Sequence, residues 1–129
     1  MTVRIEHVAL WCIDLETLLE FYVRHFGASA GPRYRNAQRG FESYFLSFDS
    51  GARLELMSLD RGLATPTVAP AAGLAHLAMA VGSEAEVDAV TERLRRAGCP
   101  VIDGPRRTGD GYYESVVLDP EGNRIEITV

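Results

Sequence analysis

After Asp14, apolar side chains recur at Leu15, Leu18, Leu19, Tyr22 and Phe26. That is the i, i+3, i+4, i+7 stripe of an amphipathic helix. Asp14 stands at the N-cap, and Gly27 stands where a left-handed residue would end the helix. The same pattern returns after Ser83, with Val87, Val90, Leu94 and Ala97 as the stripe and Gly98 at the end. There Glu86 completes a capping box with Ser83. Each predicted helix follows an apolar segment built around a histidine, His7 in residues 3–11 and His76 in residues 74–81. Residues 44–48 and 113–118 read as strands, closed by the turn signals Asp49-Ser50-Gly51 and Asp119-Pro120-Glu121-Gly122. Two further alternating runs follow, Arg53-Leu54-Glu55-Leu56 and Arg124-Ile125-Glu126-Ile127. Remaining strands are expected near residues 31–36 and 101–106.

These elements form an internal repeat. His7 and His76 lie 69 residues apart, as do Asp14 and Ser83, while Gly27 and Gly98, and Arg53 and Arg124, lie 71 apart. The predicted fold class is α+β, with two modules of strand, helix, then two or three strands. Module 1 covers about residues 1–59 and module 2 about 74–129, joined by a linker at 60–73 rich in Ala, Pro and Thr. One such module could not cover its own sheet; two together could. The stretch 32–41 reads as an irregular loop carrying Arg33, Arg35 and Arg39.

Composition narrows the chemistry. The 129 residues suit one domain, with 18 acids against 13 bases and a net charge of -5. Every base is arginine, so Schiff-base catalysis and a P-loop lysine are excluded. The acidic balance speaks against a nucleic-acid platform. No apolar run approaches the ~18 residues that would span a bilayer, and no N-terminal stretch reads as a signal peptide. Cys12 and Cys99 lack CxxC spacing, which fits two reduced thiols in a cytoplasmic protein.

Strand alternation then singles out four residues. Leu54 and Leu56 define one face of their strand, so Arg53, Glu55 and Met57 point to the other; Ile125 and Ile127 likewise leave Glu126 opposite. Val8 and Leu10 leave His7 on the far face of the opening strand, and Leu77 and Met79 leave His76 there. The repeat thus sets His, Glu, His and Glu at equivalent positions, all turned away from the helices. Two neutral imidazoles and two carboxylates make a competent divalent-metal set with room for water in an octahedron. His25 has no such counterpart and reads as structural, its charge suited to a helix C-terminus.

The motifs Glu6-His7-Val8-Ala9-Leu10, Phe21-Tyr22…Phe26-Gly27, Leu74-Ala75-His76-Leu77-Ala78 and Leu118-Asp119-Pro120-Glu121-Gly122-Asn123-Arg124-Ile125-Glu126 together resemble the vicinal oxygen chelate superfamily. This is also called the glyoxalase/bleomycin-resistance/dioxygenase superfamily, and the resemblance spans nearly the whole chain. It implies two βαβββ modules forming a curled mixed sheet around a cavity, with helices on the outer face. It further implies one divalent metal ion (Ni, Zn, Co, Mn or Fe), held at His7, Glu55, His76 and Glu126. The His-Glu-His-Glu set is similar to that of bacterial lactoylglutathione lyase (glyoxalase I). The implied reaction is a lyase or isomerase step on a small vicinal-oxygen substrate, a 2-oxoaldehyde thiol adduct, through an enediolate. Glu126 would be the base and Glu55 its partner.

Bacterial glyoxalase I carries an arginine for the glutathione carboxylate where this chain has Trp11. Substrate-binding candidates are therefore Trp11, Arg33, Arg35, Arg107 and Tyr113. The expected partners are a small molecule, with a glutathione adduct among the candidates, and a second copy of the chain in a homodimer. Alternatives within the superfamily are an epimerase, a thiol transferase, a dioxygenase, or a metal-free resistance protein that binds an aromatic drug.

Overall fold

The structure, a computed structural model, describes residues 1–65 and 70–129, which divide into two compact units, Met1–Thr65 and Pro66–Val129. In the first, β1 (His7–Trp11) leads into α1 (Leu15–Phe26), then β2 (Ser29–Ala30), β3 (Tyr34–Asn36), β4 (Phe41–Ser47) and β5 (Arg53–Leu59). In the second, β6 (Leu77–Ala80) leads into α2 (Glu84–Arg96), then β7 (Val101–Arg107), β8 (Tyr113–Leu118) and β9 (Arg124–Thr128). The class is α+β, and each module has its own mixed sheet. Strand orders are β1-β5-β4-β2, with β3 also on β4, and β6-β9-β8-β7. In both, the opening strand runs parallel to the closing one and every other pairing is antiparallel.

Each helix forms where its apolar stripe predicts and starts on a side-chain cap. The Asp14 carboxylate accepts from the Thr17 amide at 3.1 Å, and the Ser83 hydroxyl accepts from the Glu86 amide at 3.1 Å. Gly27 ends α1 in the left-handed region at φ 67°, a conformation that favours glycine. The stripe of α1 buries Leu15, Leu18, Phe21 and Tyr22, and α1 packs on β5, whose Leu54 and Leu56 are also buried. Module 2 repeats this with Val87, Val90 and Leu94 of α2 set against β7, β8 and β9. Burying one such side chain stabilises the fold by roughly 1.5–3 kcal/mol.

Three details differ from expectation. The strand expected at 31–36 is broken, so that β2 and β3 lie end to end along one edge of β4, with Gly31, Pro32 and Arg33 between them. The stretch 32–41 is therefore partly strand: Arg35 pairs with Glu42 in the β3–β4 ladder, residues 37–40 form a turn and β4 begins at Phe41. His76 lies one residue before β6 rather than within it. Of the linker at 60–73, residues 66–69 lie outside the described residues. Cys12 and Cys99 are both free thiols, Cys12 buried. No described helix is long and apolar enough to cross a membrane.

Candidate metal centre

In module 1 the parallel pairing of β1 with β5 sets Ala9 beside Glu55 and His7 beside Arg53. Leu54 and Leu56 occupy the α1 face, so Arg53 and Glu55 project to the opposite one. There His7 Nε2 stands 3.7 Å from Glu55 Oε1, with only 15% of the Glu55 side chain exposed. On its other side, His7 Nδ1 stands 3.4 Å from Glu6 Oε1. Arg53 grips Glu6 with two donors, Nε to Oε2 at 2.7 Å and Nη2 to Oε1. The Arg53 hydrogen bond, with its charge, holds the Glu6 carboxyl down at about 2. The same face carries a cavity of about 510 Å³ lined by Tyr34, Phe41, Ser43, Phe45, Arg53 and Glu55, among others. Trp11, half exposed, meets Phe41 edge-on with centroids 6.3 Å apart.

Module 2 repeats the pair. Parallel pairing of β6 with β9 sets Ala78 beside Glu126, and His76 lies two residues before Ala78, as His7 lies two before Ala9. His76 Nε2 stands 3.2 Å from Glu126 Oε1. Beside them Glu114 has its carboxyl pushed up, first by burial and then by the neighbouring Glu126 charge.

The structure therefore brings together His7 with Glu55, and His76 with Glu126. Among the described residues it gathers no three His, Cys, Asp or Glu side chains into a group that could hold a metal. Two donors ~2.1 Å from one ion stand roughly 3.0–3.4 Å apart at octahedral or tetrahedral angles. The 3.2 Å separation of His76 and Glu126 falls within that range, and the 3.7 Å separation of His7 and Glu55 lies outside it. Imidazole nitrogen and carboxylate oxygen are both donor types that divalent cations take.

The other sequence candidates separate. Trp11 stands beside the cavity wall. Arg33 bonds Glu42, while Arg35 bonds both Glu42 and Asp60, the latter at 2.8 Å. Arg107 bonds Glu84 in the first turn of α2 and lies over the Tyr113 ring, 5.6 Å from its centroid. Tyr113 donates its hydroxyl to Asp88 of α2 at 2.5 Å, and so occupies the helix face of β8 rather than the face of Glu126. Tyr44 likewise donates to Glu16 of α1, at 2.8 Å. The arginine that lines the cavity is Arg53, which the sequence candidates omit. Its signal was its parity with Glu55, two residues along the same strand.

The family model described as the Glyoxalase/Bleomycin resistance protein/Dioxygenase superfamily matches residues 4–127. The chain belongs to this superfamily. The uncharacterized protein YwkD of Bacillus subtilis (strain 168) is 33% identical over 125 residues, covering 95% of this chain and 94% of that protein. The crystal structure of SMU.1112c superimposes with a TM-score of 0.83 at 25% identity, covering both chains completely. Glyoxalase I of Leishmania major superimposes with a TM-score of 0.76 at 20% identity, over 98% of this chain and 86% of that one. The superfamily fold thus extends over both modules, and glyoxalase I is among its structural neighbours here.

Proposed function

We propose that the chain is a metal-dependent lyase or isomerase of glyoxalase I type, with His7, Glu55, His76 and Glu126 holding one divalent ion (Ni, Zn, Co, Mn or Fe). One observation carries this reading: the same His–Glu pair recurs at the same strand register in both modules, Nε2 facing a carboxylate oxygen each time. The ion would supply Lewis acidity to two adjacent oxygens of the substrate.

The remaining chemistry falls to the chain's own groups. On a 2-oxoaldehyde thiol adduct, Glu126 takes the proton from the carbon bearing hydroxyl and sulfur and returns a proton to the neighbouring carbonyl carbon. The hydroxyl proton passes to the former carbonyl oxygen, so the product is a 2-hydroxy thioester and nothing is gained or lost. Glu55 is the partner carboxylate. Tyr34, Phe41 and Phe45 give the cavity an aromatic wall with Trp11 at its rim, which favours an apolar substituent. Arg33, Arg35 and Arg107 are already held by Glu42, Asp60 and Glu84, so a glutathione carboxylate would have to compete for them. Tyr113 is tied to Asp88 in the same way. The reading carries with it a homodimer in a cytoplasmic setting.

Metal analysis after loading with Ni²⁺ or Zn²⁺ tests the site. Binding is expected in the wild type and a loss of about tenfold or more in affinity in Glu55→Gln and His76→Ala. Unchanged binding in both variants would reject the assignment. Turnover of methylglyoxal with glutathione, and of phenylglyoxal with glutathione, then tests the reaction, the aryl substrate being expected to turn over better. A metal-loaded protein inactive on both would remove the glyoxalase reaction and leave the site. The aromatic wall also suits the second reading, a metal-free binder of an aromatic drug, which a protein taking up no divalent ion would favour.

A further inference from the structure

Besides Glu55, His7 touches two groups, and both lead back to Arg53. The Glu6 carboxylate, 3.4 Å from His7 Nδ1, is the one that takes Nε and Nη2 of Arg53. The Phe45 ring stands edge-on to the imidazole, centroids 5.3 Å apart at 80°, and the Arg53 guanidinium lies over that ring, 4.1 Å from its centre. The backbone closes the arrangement, since the Arg53 amide donates to the Glu6 carbonyl at 2.8 Å.

We propose that Arg53 is a positioning residue for His7. It fixes the Glu6 carboxylate opposite Nδ1 and so holds the imidazole with Nε2 facing Glu55. Through Phe45 it also fixes the plane of the ring. A histidine's outer nitrogen partner commonly sets which nitrogen is free to ligate, and such partners are worth about 10–100-fold in metal affinity. Only the use made of Nε2 rests on the function proposed above; the orientation does not.

The second module supplies an internal control. Arg124 occupies the place of Arg53, but Ala75 precedes His76 where Glu6 precedes His7. Val116 pairs with Glu126 where Phe45 pairs with Glu55. With neither the carboxylate nor the aromatic ring, Arg124 has no route to His76 of the kind Arg53 has to His7. The two half-sites are therefore unequal: module 1 presents a histidine set in advance, and module 2 does not.

The test is a nuclear Overhauser spectrum of the apoprotein, with the His7 ring signals assigned by their loss in His7→Gln. The wild type is expected to show strong contacts between the His7 and Phe45 ring protons. Arg53→Met, which keeps an apolar stem over Phe45, and Glu6→Ala, which removes the carboxylate facing Nδ1, are both expected to weaken those contacts at least twofold. In the same two variants Ni²⁺ affinity is expected to fall about tenfold or more, while Arg124→Met changes neither readout. A His7 pattern identical to the wild type in both Arg53→Met and Glu6→Ala overturns the proposal. A wild type that shows the His7–Phe45 contacts yet takes up no Ni²⁺ upholds the positioning role and overturns the metal reading instead.

Discussion

Glu6 shows how far one side chain's environment can be read from its neighbours. Its carboxyl, ordinarily at 4.5, sits at about 2 because Arg53 donates to both oxygens. A carboxyl lowered in the folded state contributes stability that is complete above the unfolded value and is lost as pH falls toward the folded one. The Glu6 contribution is thus present above about 4.5 and disappears between there and about 2. Glu42, Asp60, Glu92 and Asp103 are also held low by arginines, so their contributions are likewise lost on acidification. The difference between wild type and Arg53→Met isolates Glu6: denaturant midpoints measured from pH 6 down to pH 2 should converge as the pH drops. Parallel curves would mean that the pair adds nothing. At this scale the four His and Glu positions were legible, because each is a polar residue interrupting a clean apolar alternation. Tyr113 was not. In β8 Val116 and Val117 are both buried, so alternation cannot tell which face Tyr113 takes. The long arginines reach partners chosen by tertiary contact, which sequence spacing does not encode.

The helices were legible almost to the residue, since stripe, cap and terminating glycine agreed for each. Asp14→Ala should therefore destabilise the fold by about 1 kcal/mol, and Ser83→Ala by a similar amount, as read from denaturant midpoints. The strands were harder. Module 1's second strand breaks around Pro32, and β7 shifts register twice against β8, between Val101 and Asp103 and again before Arg106. Such irregularities follow from pairing and leave no hydrophobic period behind. Gly104 sits inside that irregular stretch at φ 75°, where a Cβ would meet the Glu114 carbonyl oxygen at 2.6 Å. Gly104→Ala should cost roughly 1–3 kcal/mol through backbone conformation and this contact together. Gly109→Ala, on the β7–β8 turn with nothing within 4 Å, should be close to neutral by the same measurement.

Across the whole molecule the repeat was the most legible feature, because histidine, cap, glycine and closing strand all recur at offsets of 69 to 71 residues. Each module then builds its own core, Leu18, Tyr22, Leu46 and Leu56 in one and Val87, Leu94, Ile125 and Ile127 in the other. If the two His–Glu pairs serve a single ion, saturating metal should amount to one equivalent per chain. Two equivalents per chain, as counted by elemental analysis after dialysis, would mean that each pair works alone. Glu6 before His7 and Ala75 before His76 show two modules that share strand register and the His and Glu positions while their surroundings differ. Trp11 has a separate consequence. It is the sole tryptophan of the chain, half exposed, with its ring against a wall residue of the module 1 cavity. Its emission comes from one known place, so colour and intensity are a built-in gauge of what enters that cavity, readable without a label and independently of turnover.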